Sequence, residues 1–209
     1  MIPVKEILLS PASFFEELRQ KPESLKFPAL IILIAGIIGG ISAAIAASAS
    51  VAILPAEMAF LSGILPVAGF IFAVVVTFIA WIIWAGIMHI ISSLLKGTGS
   101  FTRSLEITGY GMIPQIFGSL ISTMLIYMHF SSLSLSPVTS QAEIEAATIM
   151  MSTGPLMQAA TLVGVIFLIW SVNIWIFGFM KCRKMSTKNA VLAVGIPAVV
   201  YILITIMFL

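Results

Sequence analysis

The sequence predicts an all-α membrane protein, a bundle of five transmembrane helices preceded by a short amphipathic helix at the membrane interface. Of the 209 residues, 60% are hydrophobic and only 9% are charged, whereas a soluble domain carries about 25% charged residues. The apolar residues are also gathered into runs of about 20 or more, the length that an α-helix needs to cross a bilayer. These two observations exclude a soluble globular fold.

Five apolar runs are long enough to cross a membrane, and none has Lys, Arg or Glu near its middle. A charge at that depth costs about 2.5–3.5 kcal/mol on insertion scales, so its absence favours each span. The predicted spans cover residues 27–54, 66–95, 105–130, 155–180 and 189–209. Together they form one transmembrane domain, 27–209, which follows an N-terminal segment, 1–26.

The N-terminal segment is predicted to contain the amphipathic helix, at residues 10–21. Ser10 and Pro11 supply an N-cap and a proline at the first helical position, both common where a helix begins. Such a helix before a first span usually lies in the membrane interface as an anchor. The alternative is that it forms a docking surface for a cytoplasmic partner. The apolar side consists of Ile7, Phe14, Phe15 and Leu18.

Basic residues occur on only one side of the predicted bundle. If the spans alternate, residues 1–26 and the loops 96–104 and 181–188 share a side and hold all ten Lys and Arg. The other side holds three Glu and no basic residue. Because basic loops are retained in the cytoplasm, we predict a multi-pass protein of the cell membrane with a cytoplasmic N-terminus and an external C-terminus.

Small residues recur at a spacing of four in the first predicted span. Gly36, Gly40 and Ala44 form a GxxxG row that continues with alanine, and such rows let helix backbones approach closely. Packing within the bundle is the favoured interpretation, and association into a homo-oligomer is the alternative. In the fourth span, the polar Asn173 is expected to form a hydrogen bond to another helix, worth about 0.6–2 kcal/mol.

The third predicted span contains a helix break. Pro114 lacks a backbone N–H and its ring clashes with the carbonyl of Tyr110, while Gly109 loosens the preceding turn. Packing or a hinge is the favoured use of this break. A broken helix can also line a substrate site in transporters, so a small transporter or channel component for a lipid or apolar solute is the alternative function.

A basic cluster follows the fourth predicted span. It is predicted to face anionic lipid headgroups, at about 1 kcal/mol per charge, or a protein partner, although a topology signal alone would explain it. Glu106 lies one turn from Arg103, which indicates an ion pair at the same membrane border. The cluster consists of Lys181, Arg183, Lys184 and Lys188.

The sequence offers little that could perform catalysis. It has no Asp, one Cys and two His, and it lacks a Ser/His/Asp set, an HExxH motif and a P-loop. We therefore expect no enzyme activity and no metal or other cofactor. Nothing in the sequence indicates a nucleic-acid partner.

Several segments together resemble a known family. They are LSPASFF at 9–15 with KP at 21–22, GYGMIP at 109–114, the apolar run 170–178, and STKNA at 186–190. They resemble segments of the Yip family, which is named for Ypt/Rab-interacting membrane proteins. The first resembles the N-terminal lead-in of that family, and the second resembles its GY-x-x-x-P element, which opens the third span. The last two resemble its region from the fourth to the fifth span.

The resemblance implies a short, prokaryotic-type member of that family with five spans. It implies a non-enzymatic role in membrane organisation or in the recruitment of cytoplasmic partners. The partners implied are membrane lipids and a protein of the cytoplasm or membrane.

Overall fold

The computed structural model describes residues 3–207, and all regular structure in that range is helical. Helices α3, α4, α6, α8 and α9 are long and apolar enough to cross a membrane, which confirms the all-α fold with five membrane-spanning helices. The helices are α1 (Val4–Leu9), α2 (Pro11–Leu18), α3 (Lys26–Ala52), α4 (Leu61–Leu94), α5 (Phe101–Gly111), α6 (Ile113–Ser132), α7 (Gln141–Ser152), α8 (Pro155–Cys182) and α9 (Thr187–Met207), with a 3-10 turn at Ala56–Met58 between α3 and α4.

The two ends of the bundle differ in charge. We call one of them the basic end, where α1, α2, α5 and the loops 95–100 and 183–186 meet; for example, the N–H of Thr98 donates to the carbonyl of Arg183 at 3.0 Å. At the opposite end the loop after α6 meets the end of α3, since the N–H of Val138 donates to the carbonyl of Ile53 at 3.0 Å. All Lys and Arg side chains belong to the basic end, with five Glu, and the opposite end has three Glu.

The third predicted span is divided into two helices. α5 ends at Gly111 and α6 begins at Ile113, so the break lies at Met112 rather than at Pro114. Pro114 instead occupies the first turn of α6, where its missing N–H has no intrahelical partner to lose. α6 alone is the spanning helix, and α5 is a separate helix at the basic end.

The N-terminal amphipathic region forms two short helices whose apolar side contacts protein. Ile7 and Phe15 are fully buried, and the ring of Phe14 packs edge-to-face on Tyr110 of α5 with centroids 5.0 Å apart. The helix α2 also packs along α8. The bundle itself therefore covers this apolar side, while the position of the two helices at the membrane interface stays a prediction.

Close contacts between spanning helices occur at glycines. In α3, Gly36 lies against Val74 of α4, and Gly40 lies under the ring of Phe70, where an added Cβ would come within 2.6 Å of a ring carbon. Gly36 and Gly40 are buried between the two helices, and Ala44 is half-buried. The small residues of α3 thus lie where α3 and α4 approach each other.

The helix α5 crosses α8 and α3 at three further glycines. An added Cβ at Gly111 would overlap the indole of Trp175, and one at Gly109 would come within 2.6 Å of the Pro28 side chain in α3. An added Cβ at Gly178 of α8 would likewise overlap the side chain of Ile107 in α5. Larger residues at these positions would push α5 away from the bundle.

A comparison of two alanine substitutions in α8 tests this packing. Gly178→Ala should lower the free energy of unfolding by about 1–3 kcal/mol, because its Cβ overlaps Ile107 and overpacking is costly. Gly164→Ala is the matched control, since nothing lies within 4 Å of its Cβ, and it should be neutral or stabilising by about 1 kcal/mol. Unfolding in detergent, followed by circular dichroism, measures both. Equal stability of the two variants would contradict the close crossing of α5 and α8.

Candidate functional site

A buried ion pair joins the N-terminal segment to the bundle at the basic end. Arg103 and Glu106 of α5 are 7% and 1% exposed, and Arg103 Nη1 donates to Glu106 Oε2 at 2.5 Å. The same guanidinium donates to the carbonyls of Leu18 at 3.1 Å and Lys21 at 2.7 Å. It therefore places a positive charge at the C-terminal end of α2, where the helix dipole favours a cation.

The start of α5 contributes a second link to the same segment. Ser100 caps α5, because its Oγ accepts from the N–H of Arg103 at 3.0 Å. The same hydroxyl donates to Glu23 Oε1 at 2.6 Å. The N-terminal segment is thus fixed to α5 by side chains of both helices rather than by apolar packing alone.

Burial changes the protonation of Glu106. It raises the pKa of this carboxyl to about 6, although the neighbouring Arg103 and the N–H of Ser24, 3.4 Å from Oε1, act in the opposite direction. The cost of removing a carboxylate from water is larger here than the attraction of one paired guanidinium. Glu106 therefore binds a proton near pH 6 while it remains within the folded protein.

Arg183 forms a second buried cluster beneath the loops of the basic end. It is 1% exposed, and its Nη1 donates to His89 Nδ1 at 2.8 Å and to Ser104 Oγ at 3.1 Å. Its Nη2 donates to Ser93 Oγ at 2.9 Å. Because a guanidinium has no acceptor, Nδ1 of His89 is the acceptor in this contact. Burial also lowers the pKa of Arg183.

The prediction that Arg183 faces lipid headgroups is therefore wrong. Its side chain turns inwards because the hydroxyls of α4 and α5 and the carbonyl of Gly99, 3.2 Å away, accept from its two terminal nitrogens, although its Nε has no partner among the described residues. Lys181 is also engaged, by Glu16 Oε2 at 3.2 Å. Lys184 and Lys188 are exposed, as the sequence predicts for a basic surface.

Asn173 also lies elsewhere than expected. It is exposed on α8 and borders a small groove next to the turn between α1 and α2. Among the hydrogen bonds of residues 3–207, none from its side chain reaches another helix, so the predicted interhelical bond is wrong. The buried side of α8 at this level is formed by Ile174 and Trp175 instead.

Two tryptophans hold the backbone of α5 at the basic end. Trp81 Nε1 donates to Thr108 Oγ1 and to the Leu105 carbonyl, both at 3.1 Å. Trp175 Nε1 donates to the Thr108 carbonyl at 2.9 Å. The sequence did not indicate these roles, because an aromatic residue in an apolar run has the same pattern whether it faces lipid or protein.

A half-open cavity of about 620 Å³ lies below these tryptophans. Helices α4, α6, α8 and α9 form most of its walls, together with Thr108 of α5, and no charged residue lines it. Trp84 Nε1 at this cavity is buried and has no hydrogen-bond partner among the described residues. Met112, at the break between α5 and α6, and Gln115, one turn later, both line the cavity, so the observed break borders it.

The lining determines what the cavity can hold. Its polar groups are the side chains of Thr, Gln, Tyr and Trp, which can orient a neutral molecule but are ordinarily uncharged. Within residues 3–207, no three His, Cys, Asp or Glu side chains lie close enough together to hold a metal ion. The arrangement suits binding of an apolar or amphipathic molecule.

Comparisons with known proteins give a family and one relative. The sequence model of the Yip1 domain matches residues 5–209. The chain is also 44% identical to an uncharacterized protein of Methanocaldococcus jannaschii over 126 residues, which cover 58% of this chain and 86% of that protein. No solved structure matches.

The raised pKa of Glu106 predicts a pH-dependent stability. Its folded value of about 6 lies above its usual value of 4.5, so the folded protein binds more protons between these values. The contribution of Glu106 to the free energy of unfolding should therefore increase as pH falls from about 7 to about 5. Denaturant unfolding in detergent across this range should show a smaller increase for Glu106→Gln than for the unaltered chain.

Glu57→Gln is the control for this measurement, because Glu57 is exposed at the opposite end. It should keep the pH dependence of the unaltered chain. If Glu106→Gln and Glu57→Gln show the same slope as the unaltered chain, then Glu106 does not titrate in this range.

Proposed function

Because this chain belongs to the Yip1 domain family, we propose that it is a non-enzymatic protein that organises the cell membrane and recruits partners at its cytoplasmic face. Family membership and an uncharacterized archaeal relative support a short, prokaryotic-type member. Five spanning helices make it a multi-pass membrane protein.

The distribution of charge supports a cytoplasmic basic end. With Arg103 and Arg183 buried in their clusters, the other basic side chains at this end are exposed or half-exposed. Basic loops of this kind are retained on the cytoplasmic side, so the C-terminus is external. These exposed and half-exposed residues are Lys5, Arg19, Lys21, Lys26, Lys96, Lys181, Lys184 and Lys188.

The observation that carries the proposal is a set of three lysines at or beside the ends of the spanning helices α4 and α9. Lys96 follows α4, and Lys184 and Lys188 flank the start of α9. All three are exposed, and no ion pair engages any of them within the described residues. Each is available to an anionic headgroup, at about 1 kcal/mol per charge.

The polar side of α2 gives the same end a fixed surface for a protein partner. Glu17 and Lys21 are exposed and pair with each other at 3.7 Å. Arg103 holds the C-terminal carbonyls of α2 in place, so the surface is ordered before a partner arrives. A preformed surface loses less conformational entropy on binding than a flexible tail would.

Neutralising the three lysines tests the lipid part of this proposal. The variant carrying Lys96→Gln, Lys184→Gln and Lys188→Gln should reduce the enrichment of phosphatidylglycerol around the protein by roughly tenfold or more, since three charges contribute about 1 kcal/mol each. The measurement is the ratio of phosphatidylglycerol to phosphatidylcholine in polymer-excised discs from mixed vesicles. Added salt should weaken the enrichment.

The control carries Glu57→Gln and Glu145→Gln, which alter charges at the opposite end. It should leave the lipid ratio unchanged. A lysine variant that enriches phosphatidylglycerol as well as the unaltered chain would refute the role of the basic loops in membrane organisation.

A charge swap on α2 tests partner recruitment. The double substitution Glu17→Lys and Lys21→Glu keeps the net charge and an i,i+4 pair. It reverses the order of the negative and positive charges that α2 presents to a partner. Crosslinking in native membranes should capture a stoichiometric partner with the unaltered chain and lose most of it with the swap. Deletion of the segment is unsuitable, because Ile7 and Phe15 belong to the core. An equal yield from both proteins would exclude α2 as the docking surface.

A further inference from the structure

The cavity beside α4 and α8 lies at membrane depth and takes no part in the role argued for the basic end. Its walls come mainly from helices that span the membrane, and neighbouring residues of these helices are apolar and exposed; Ile83 and Ile166 are 56% and 63% exposed. The surroundings of these helices at this depth are lipid rather than water. Its volume of about 620 Å³ falls within the range of small-molecule sites.

The shape of the cavity suits an extended chain. Along α8 it is lined from Thr161 to Trp175, which at about 1.5 Å per residue corresponds to roughly 20 Å. A space of this volume spread over that length is long and narrow. It matches a single hydrocarbon chain better than a compact solute.

One polar group that lines the cavity is accessible and lacks a partner in the protein. Gln115 is half-buried, and no hydrogen bond engages its amide within the described residues. Trp84 Nε1 also has no acceptor, but this atom has no accessible surface, so a molecule in the cavity does not reach it. Polar groups withdrawn from water are nearly always hydrogen-bonded in folded proteins, so a bound molecule should supply the partner of Gln115. Because no charged residue lines the cavity, that partner should be neutral.

We propose that the cavity binds the hydrocarbon chain of one membrane lipid, whose neutral ether or ester oxygen accepts a hydrogen bond from the side-chain amide of Gln115. The apolar walls hold the chain, and the unpartnered amide fixes the depth of the lipid. This site does not rest on the proposed cytoplasmic role, because neither the three lysines nor the surface of α2 lines the cavity. It also differs from a transport route, because the lipid is a resident ligand.

Tryptophan fluorescence gives a direct test. Trp170→Phe removes the indole that lies outside the cavity and leaves Trp81, Trp84 and Trp175, which line it. Trp81 and Trp175 are 7% and 1% exposed, so lipid that merely surrounds the protein cannot reach them. In vesicles of phosphatidylcholine with brominated chains, the Trp170→Phe protein should be strongly quenched relative to vesicles of ordinary phosphatidylcholine.

A filled cavity should abolish most of this quenching. Gly164 lines the cavity and an added side chain there would enter open space, so Gly164→Phe in the Trp170→Phe protein should reduce quenching at least twofold. Gly195→Phe is the matched control, because Gly195 also has open space around it but does not line the cavity. It should leave quenching unchanged. Equal quenching with and without Gly164→Phe, or none in the parent protein, would overturn the proposal.

A second variant tests the hydrogen bond and does not depend on how Gly164→Phe folds. Gln115→Leu keeps a side chain of similar size but removes the donor. Native mass spectrometry of the protein released from phosphatidylcholine micelles should find one retained phospholipid for each unaltered chain and severalfold less for Gln115→Leu. Trp170→Phe should retain as much as the unaltered chain. Equal retention by Gln115→Leu would refute the proposed hydrogen bond, and absence of retained lipid in the unaltered chain would refute the site.

Discussion

The ion pair between Arg103 and Glu106 is the contact on which the arrangement of the basic end depends. Its guanidinium also binds the carbonyls at the end of α2, so it fixes the position of the N-terminal segment on the bundle. A buried pair of this kind adds little net stability compared with apolar packing, but removal of one partner leaves an uncompensated buried charge. Its main effect here is therefore to select one position of α2.

The close contacts of α5 with α8 and α3 at glycines connect the position of α2 to the packing of the whole bundle. α5 carries the ion pair, and it lies close to α8 at Gly111 and Gly178 and close to α3 at Gly109. Arg183 adds a second connection, because it binds Ser104 of α5 from the end of α8. α5 thus cannot shift without disturbing both spanning helices. The surface formed by α2 follows the same constraint.

The sequence was sufficient to predict the spanning helices because the bilayer requires long apolar runs and places charges at their ends. It was insufficient for the contacts between elements. The periodicity of α2 shows that one side is apolar, but it does not distinguish lipid from protein as the covering. Arg183 and Lys184 are neighbours with the same charge, and one is buried because acceptors from other elements, among them the hydroxyls of Ser93 and Ser104, surround its guanidinium. The sequence did not indicate the cavity, because the apolar residues that line a cavity are of the same types as those that pack against one another.

The division of the third span has a consequence for the bilayer around the protein. α6 has 20 residues, and α4 has 28 before its His89 and Ser93 join the Arg183 cluster, which correspond to roughly 30 Å and 42 Å at about 1.5 Å per residue. A single bilayer thickness matches the shorter helix but not an upright α4, so the longer helix must tilt or the lipid beside it must thicken. The protein therefore presents two different hydrophobic lengths to its surroundings. Hydrophobic mismatch of this kind gives it a preference among membranes of different thickness.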